Sequence, residues 1–136
     1  MLKKIMSVKY SELGFNSALL LLRAALAVTM VPHGYDKLTH FTEYSNGFMS
    51  FLGLPSNISF SLVIFAELFC AVLVGLGILT RLTVIPLIIA MSVAFFQAHG
   101  ADLFGKGFSS GIYLVCFICI LIVGPGKFSV DGLVKK

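Results

Sequence analysis

Charge is scarce in this chain. Only 12% of its 136 residues are charged and 58% are hydrophobic, with a mean hydropathy of +1.00. That is too little polar surface to cover a soluble globule of this size, so lipid must be the solvent for most of the chain. A clustered basic face is missing as well. The net charge is +4, but the basic residues stand singly or in pairs through the ends and loops, which excludes a nucleic-acid surface. No nucleotide-binding signature occurs, no third ligand stands at metal spacing, and no two histidines face each other at mid-membrane to hold a haem. No metal is expected, and the chain is not expected to be a complete redox enzyme by itself.

What is present is a set of four long apolar runs. A hydrocarbon core about 30 Å thick takes roughly 20 helical residues to cross, and lipid leaves helices as the way to satisfy every backbone group internally. The expected fold is all-α: an integral membrane four-helix bundle forming one domain over residues 1–136, with spans near 15–33, 58–79, 82–99 and 108–123. The first run follows a short basic stretch, "MLKKIMSVKY", as a secretory signal would. Arg23 interrupts it, no small-x-small cleavage site follows, and three similar runs come after, so a retained first span is expected.

The connection "GLGILTRL" is so short that the second and third spans must form an antiparallel hairpin. The first loop is the longest, and its "FMSFLGLP" reads as an interfacial or re-entrant piece. The glycines of "GLGIL" and the alanines of "AALA" suit close helix approach. Lys3, Lys4, Lys9, Arg81, Lys127, Lys135 and Lys136 fall on one side, and Lys37 and Lys106 on the other. By the excess of cations, both termini are expected in the cytoplasm.

Ionisable groups at membrane depth are costly and need partners. At a rise of 1.5 Å per residue, Arg23 lies roughly 12 Å and Glu67 roughly 18 Å from the cytoplasmic side, a difference a long arginine can bridge. An Arg23–Glu67 ion pair inside the bundle is therefore expected; the other reading is that Arg23 snorkels to the headgroups and leaves Glu67 otherwise paired. His33 and His99 both come near the outer ends of their spans. With Lys37, Gln97 and Glu67 they are expected to line one outward-facing ligand pocket, where imidazoles can relay protons or hydrogen-bond a quinone-like carbonyl. Alternatively, both histidines are interfacial helix caps. Cys70, Cys116 and Cys119 are read as packing residues, because a mid-membrane "CFIC" is shielded from thiol exchange.

Beyond the C-terminal run, Gly124, Pro125 and Gly126 stop the helix, while Ser129 and Asp131 either cap local backbone or pair with Arg81. "HGYDKL" after the first span, "LGLP" before the second, "AELFCAVLVGLGILTRL" through the hairpin and "GPGKFSVD" after the fourth resemble the DoxX family of small four-helix membrane proteins. The likeness runs from about Leu19 to Leu133. It implies the same four-span topology and marks Arg23, His33, Gly34, Lys37, Glu67, Arg81, His99, Gly124, Pro125, Gly126, Ser129 and Asp131. One departure is visible: many members carry an acidic residue early in the fourth span, where this chain has "GFSSGIY" and only Ser109 or Ser110 can supply a neutral hydrogen bond.

The resemblance further implies an inner-membrane component of a quinone-linked or oxidative-stress-related oxidoreductase system. In that role the chain is an accessory subunit beside a soluble or membrane redox partner, with quinone as the suggested cofactor and homo-oligomerisation left open. A non-enzymatic scaffold, or a protein that binds or transports a small molecule, is the alternative reading.

Overall fold

The computed structural model describes residues 1–135; Lys136, counted in the orientation argument, lies outside the described residues. Among these the fold is all helical. The elements are α1 (Leu2–Ile5), α2 (Glu12–Thr39), α3 (Phe41–Ser45), α4 (Ser56–Leu76), α5 (Thr80–Ala98), α6 (Phe108–Val123) and α7 (Val130–Val134). Helices α2, α4 and α5 are long and apolar enough to cross a membrane, and α6 is a shorter apolar helix of 16 residues.

Helix α2 starts at Ser11, whose hydroxyl accepts from the Gly14 amide and satisfies one of the orphan donors of the first turn. It then runs for 28 residues, six past the expected exit at residue 33. Pro32 and Gly34 lie inside it. Gly34 is not a terminator here but a contact point, because a Cβ on it would lie 2.7 Å from the Leu68 amide nitrogen and 2.9 Å from the Glu67 carbonyl carbon. "AALA" and "GLGIL" meet in the same interface: a Cβ on Gly75 would come 2.6 Å from the Ala27 Cβ. Small residues let α2 and α4 approach backbone to backbone, which matters in lipid, where packing rather than water exclusion drives association.

Helix α4 contains a π-helical segment, Phe65–Cys70, and α5 ends in another, Val93–Ala98. Gly77 closes α4 in the left-handed conformation at φ 75°, a backbone state that glycine adopts without steric cost. The core is shared by all four long helices: Leu26 and Met30 from α2, Ala66, Cys70 and Val74 from α4, Val84, Leu87 and Met91 from α5, and Phe117 and Ile120 from α6. Outside it the usual polarity is inverted. Leu21, Val28, Phe69, Leu82, Val115 and Ile122 are exposed, whereas Arg23, Glu67, Thr80 and Ser110 are buried, the pattern of a bundle solvated by lipid.

Candidate functional site

Glu67 sits in the π segment of α4, 5% exposed. A π turn inserts one residue into the helical repeat and re-aims the side chains around it, and such turns gather at functional positions. The partner of Glu67 is Lys37, about four turns nearer the end of α2 than Arg23: Lys37 Nζ lies 2.5 Å from Glu67 Oε2. Close approach at Gly34, one helical turn before Lys37, brings the two backbones near enough for this reach. The Lys37 side chain is 27% exposed, so the pair is open on the lysine side only.

Arg23 is fully buried, at 0% exposure, but its neighbours are carbonyls rather than Glu67. Its Nη1 donates to Gly75 O at 2.9 Å and Val74 O at 3.4 Å, and its Nη2 donates to Phe128 O. The expected Arg23–Glu67 ion pair is therefore corrected. Counting residues at one fixed rise put the two at bridging depths, yet the guanidinium is taken by main-chain carbonyls: that of Gly75 in the last turn of α4, that of Val74, which also accepts from the Gly77 amide, and that of Phe128. Arg23 Nε has no hydrogen-bond partner among the described residues.

Of the five residues expected to line one pocket, Lys37 and Glu67 are in direct contact. His33 is exposed on α2 and lies inside the helix, on the same face as Lys37 four residues on. His99 caps α5, half-buried, with Nδ1 3.4 Å from the Ser110 hydroxyl of α6. Ser110 is buried and donates to Gly107 O. Gln97 is exposed. Thus Lys37 and Glu67 come together, whereas His99 belongs to the α5–α6 end, where a serine stands at the position the family resemblance marks as often acidic.

At the opposite end, the segment after α6 clamps the bundle. Asn16, an asparagine within the apolar start of α2, accepts from the Lys127 amide at 2.6 Å through Oδ1, while Lys127 Nζ reaches Glu12 Oε2 at 2.7 Å. Ser129 accepts from the Gly132 amide at 3.0 Å and so caps α7, and the Asp131 amide donates to Gly77 O at 2.9 Å. Asp131 accepts from the Leu79 amide at 2.8 Å and from the Thr80 amide and hydroxyl, each at 2.9 Å. It therefore caps the start of α5 from a distant part of the chain. Burial pushes its carboxyl up, but the Thr80 and Leu79 hydrogen bonds, with Lys135 nearby, hold it below its ordinary value.

Of the two expected roles for Ser129 and Asp131, backbone capping is the one formed. The pairing with Arg81 is not: the Arg81 guanidinium lies over Gly124, whose Cβ, if present, would meet Nη2 at 3.2 Å. Gly124 and Gly126 both have positive φ, 92° and 81°, and turn the chain out of α6 around Pro125. Asn16 and Thr80 escaped the sequence reading. An asparagine in an apolar run was the available signal for the first; nothing local marked the second.

The three cysteines are free thiols. Cys70 is buried, Cys116 half-buried and Cys119 exposed on α6.

Apolar helices with a lipid-facing exterior and buried polar groups define a small helical membrane protein. The DoxX family model matches residues 18–100, and the chain belongs to the DoxX family. That match covers α2 to α5, with the Gly124–Asp131 motif beyond it. An uncharacterized protein of Haemophilus influenzae is 31% identical over 136 residues, covering 94% of this chain and 90% of its own length. No solved structure matches.

Proposed function

We propose that this DoxX protein is a component of a quinone-linked or oxidative-stress-related oxidoreductase system. In this reading it acts as one domain in the bacterial cytoplasmic membrane, both termini in the cytoplasm, beside a partner protein that holds a metal or flavin. The observation that carries the reading is the Lys37–Glu67 pair: a buried carboxylate on a π segment, held by an ammonium with one exposed side. A structural ion pair gains little from such an opening, whereas a ligand oxygen can enter through it.

The donor set fits a quinone. Lys37 can donate to a ring oxygen, and Glu67 can accept a proton at the same point. The π segment also borders a cavity of about 230 Å³ between α4 and α5, lined by Phe48, Phe51, Phe65, Pro86 and Val93, apolar enough for a ring or isoprenoid tail. When bound, a quinol supplies two electrons and two protons. In the proposed role Lys37 would orient the hydroxyl and Glu67 would take the two protons in turn, passing each outward along the His33 face, while both electrons would go to the partner's metal or flavin.

Purification in mild detergent followed by extraction of bound lipophiles tests this reading. A quinone at near one per chain, together with quinol turnover in membranes that falls at least tenfold in Glu67→Gln, is the expected outcome. Absence of bound quinone, with turnover unchanged in Glu67→Gln and Lys37→Gln, refutes it. A partner retained by those variants would then favour the scaffold reading.

A further inference from the structure

We infer that the α5 start and the segment after α6 form a binding site for the phosphate headgroup of an anionic phospholipid. The inference stands apart from the quinone reading. It begins with a cavity of about 1,020 Å³ at the end of the bundle where the chain leaves α6. Three cations line it, Arg81, Lys127 and Lys135, and one carboxylate, Asp131.

Asp131 forms no ion pair with any of them among the described residues. Its two oxygens already accept from the Leu79 amide and from the Thr80 amide and hydroxyl, which turns the carboxylate toward the α5 backbone. Lys127 reaches Glu12. Arg81 is exposed and has no carboxylate partner among the described residues, and its guanidinium lies beside Gly124, where a side chain would crowd it. A planar fork with its donors unspent matches the geometry of a phosphate.

The rim points to a lipid as the source of that phosphate. Leu79, Leu82 and Leu133 line the same cavity and are 60%, 64% and 66% exposed. Apolar side chains around a cationic floor suit an amphiphile, with the headgroup on the cations and the chains leaving along α5 into the bilayer. Free phosphate would use the cations alone. Basic pockets at the ends of membrane helices take anionic headgroups at about 1 kcal/mol per cation near the surface, or about fivefold in affinity.

The full-length protein in detergent micelles is titrated with phosphatidylglycerol and, separately, with phosphatidylcholine, and bound lipid is counted by native mass spectrometry. Phosphatidylglycerol should be retained over phosphatidylcholine, and the preference should fall about fivefold in Arg81→Gln. Lys135→Gln, at an exposed position, supplies a second variant without the Gly124 contact and should weaken the same preference. Equal retention of both lipids, or a preference unchanged in both variants, overturns the proposal. Inorganic phosphate at millimolar concentration is the competing arm: failure to displace the lipid supports a lipid site, and displacement to completion assigns the site to free phosphate and overturns it.

Discussion

Replacing Gly34 with alanine should destabilise the bundle, although the same change elsewhere in a helix usually helps. Alanine is favoured over glycine inside a helix by about 1 kcal/mol, so Gly34→Ala starts with a gain. Against that stands the α2–α4 contact. The new Cβ would lie 2.7 Å from the Leu68 nitrogen, and ordinary contact begins at 3.4 Å, so the helices must part by about 0.7 Å. The obstructing atoms are backbone, which no rotamer change can move aside.

Overpacking of this kind costs about 1–3 kcal/mol, and a contact against backbone belongs at the upper end, leaving a net loss of about 1–2 kcal/mol. With an unfolding entropy of about 2.1 cal/mol/K per residue over 136 residues, that is a Tm lowered by about 3–7 °C. A fluorogenic maleimide reports it through Cys70, which is buried until the bundle opens, with labelling read residue by residue by peptide mass spectrometry so that Cys116 and Cys119 are counted apart. Gly47→Ala is the control, since a Cβ there meets nothing within 4 Å, and it should shift Tm by no more than about 2 °C. A Gly34→Ala protein as stable as the native one, or lowered no further than Gly47→Ala, would show that the close approach of α2 and α4 is misplaced.

Three further outcomes follow from the polar contacts. Arg23→Met leaves the carbonyls of Gly75 and Phe128 without their side-chain donor and should cost about 3–5 kcal/mol in the same assay, with Arg23→Lys recovering only part, because one ammonium cannot reproduce the fork. Lys37→Met and Glu67→Gln should each destabilise, whereas the double variant should cost less than their sum by about 1 kcal/mol or more; strict additivity would refute the pairing. Asp131 has a folded pKa below its unfolded one, so its contribution is complete above the unfolded value and fades as pH falls through the folded value. Below about pH 4 the native protein should therefore lose stability more steeply than Asp131→Asn, which already lacks about 1 kcal/mol of capping at neutral pH; parallel pH profiles would contradict this.

Much of the fold was legible because lipid imposes it. Four apolar runs, a hairpin around Arg81 and a glycine–proline stop after the fourth run follow from hydropathy and turn chemistry alone. The end of the first span did not, because proline and glycine carry two meanings. In "VPHGYDKL" they read as an exit, yet the helix continues to Thr39, and Gly34 is where α4 approaches. The π segments leave no local trace in sequence, and depth alone paired Arg23 with the wrong group. Arg23's true acceptors are main-chain carbonyls, which no residue type announces. The candidate site was legible in part: Lys37 and Glu67 were expected in one pocket and do meet, while the contact of His99 with Ser110 of α6 had no signal in the sequence.

The central claim is that a quinone oxygen meets the Lys37–Glu67 pair. Photolabelling purified protein with a light-activated quinone analogue, followed by peptide mass spectrometry, tests it most directly. Label should concentrate on the last turns of α2 and the Phe65–Cys70 segment, and should drop at least tenfold in Glu67→Gln. Label spread evenly over the lipid-facing helices, or unchanged in that variant, would contradict it.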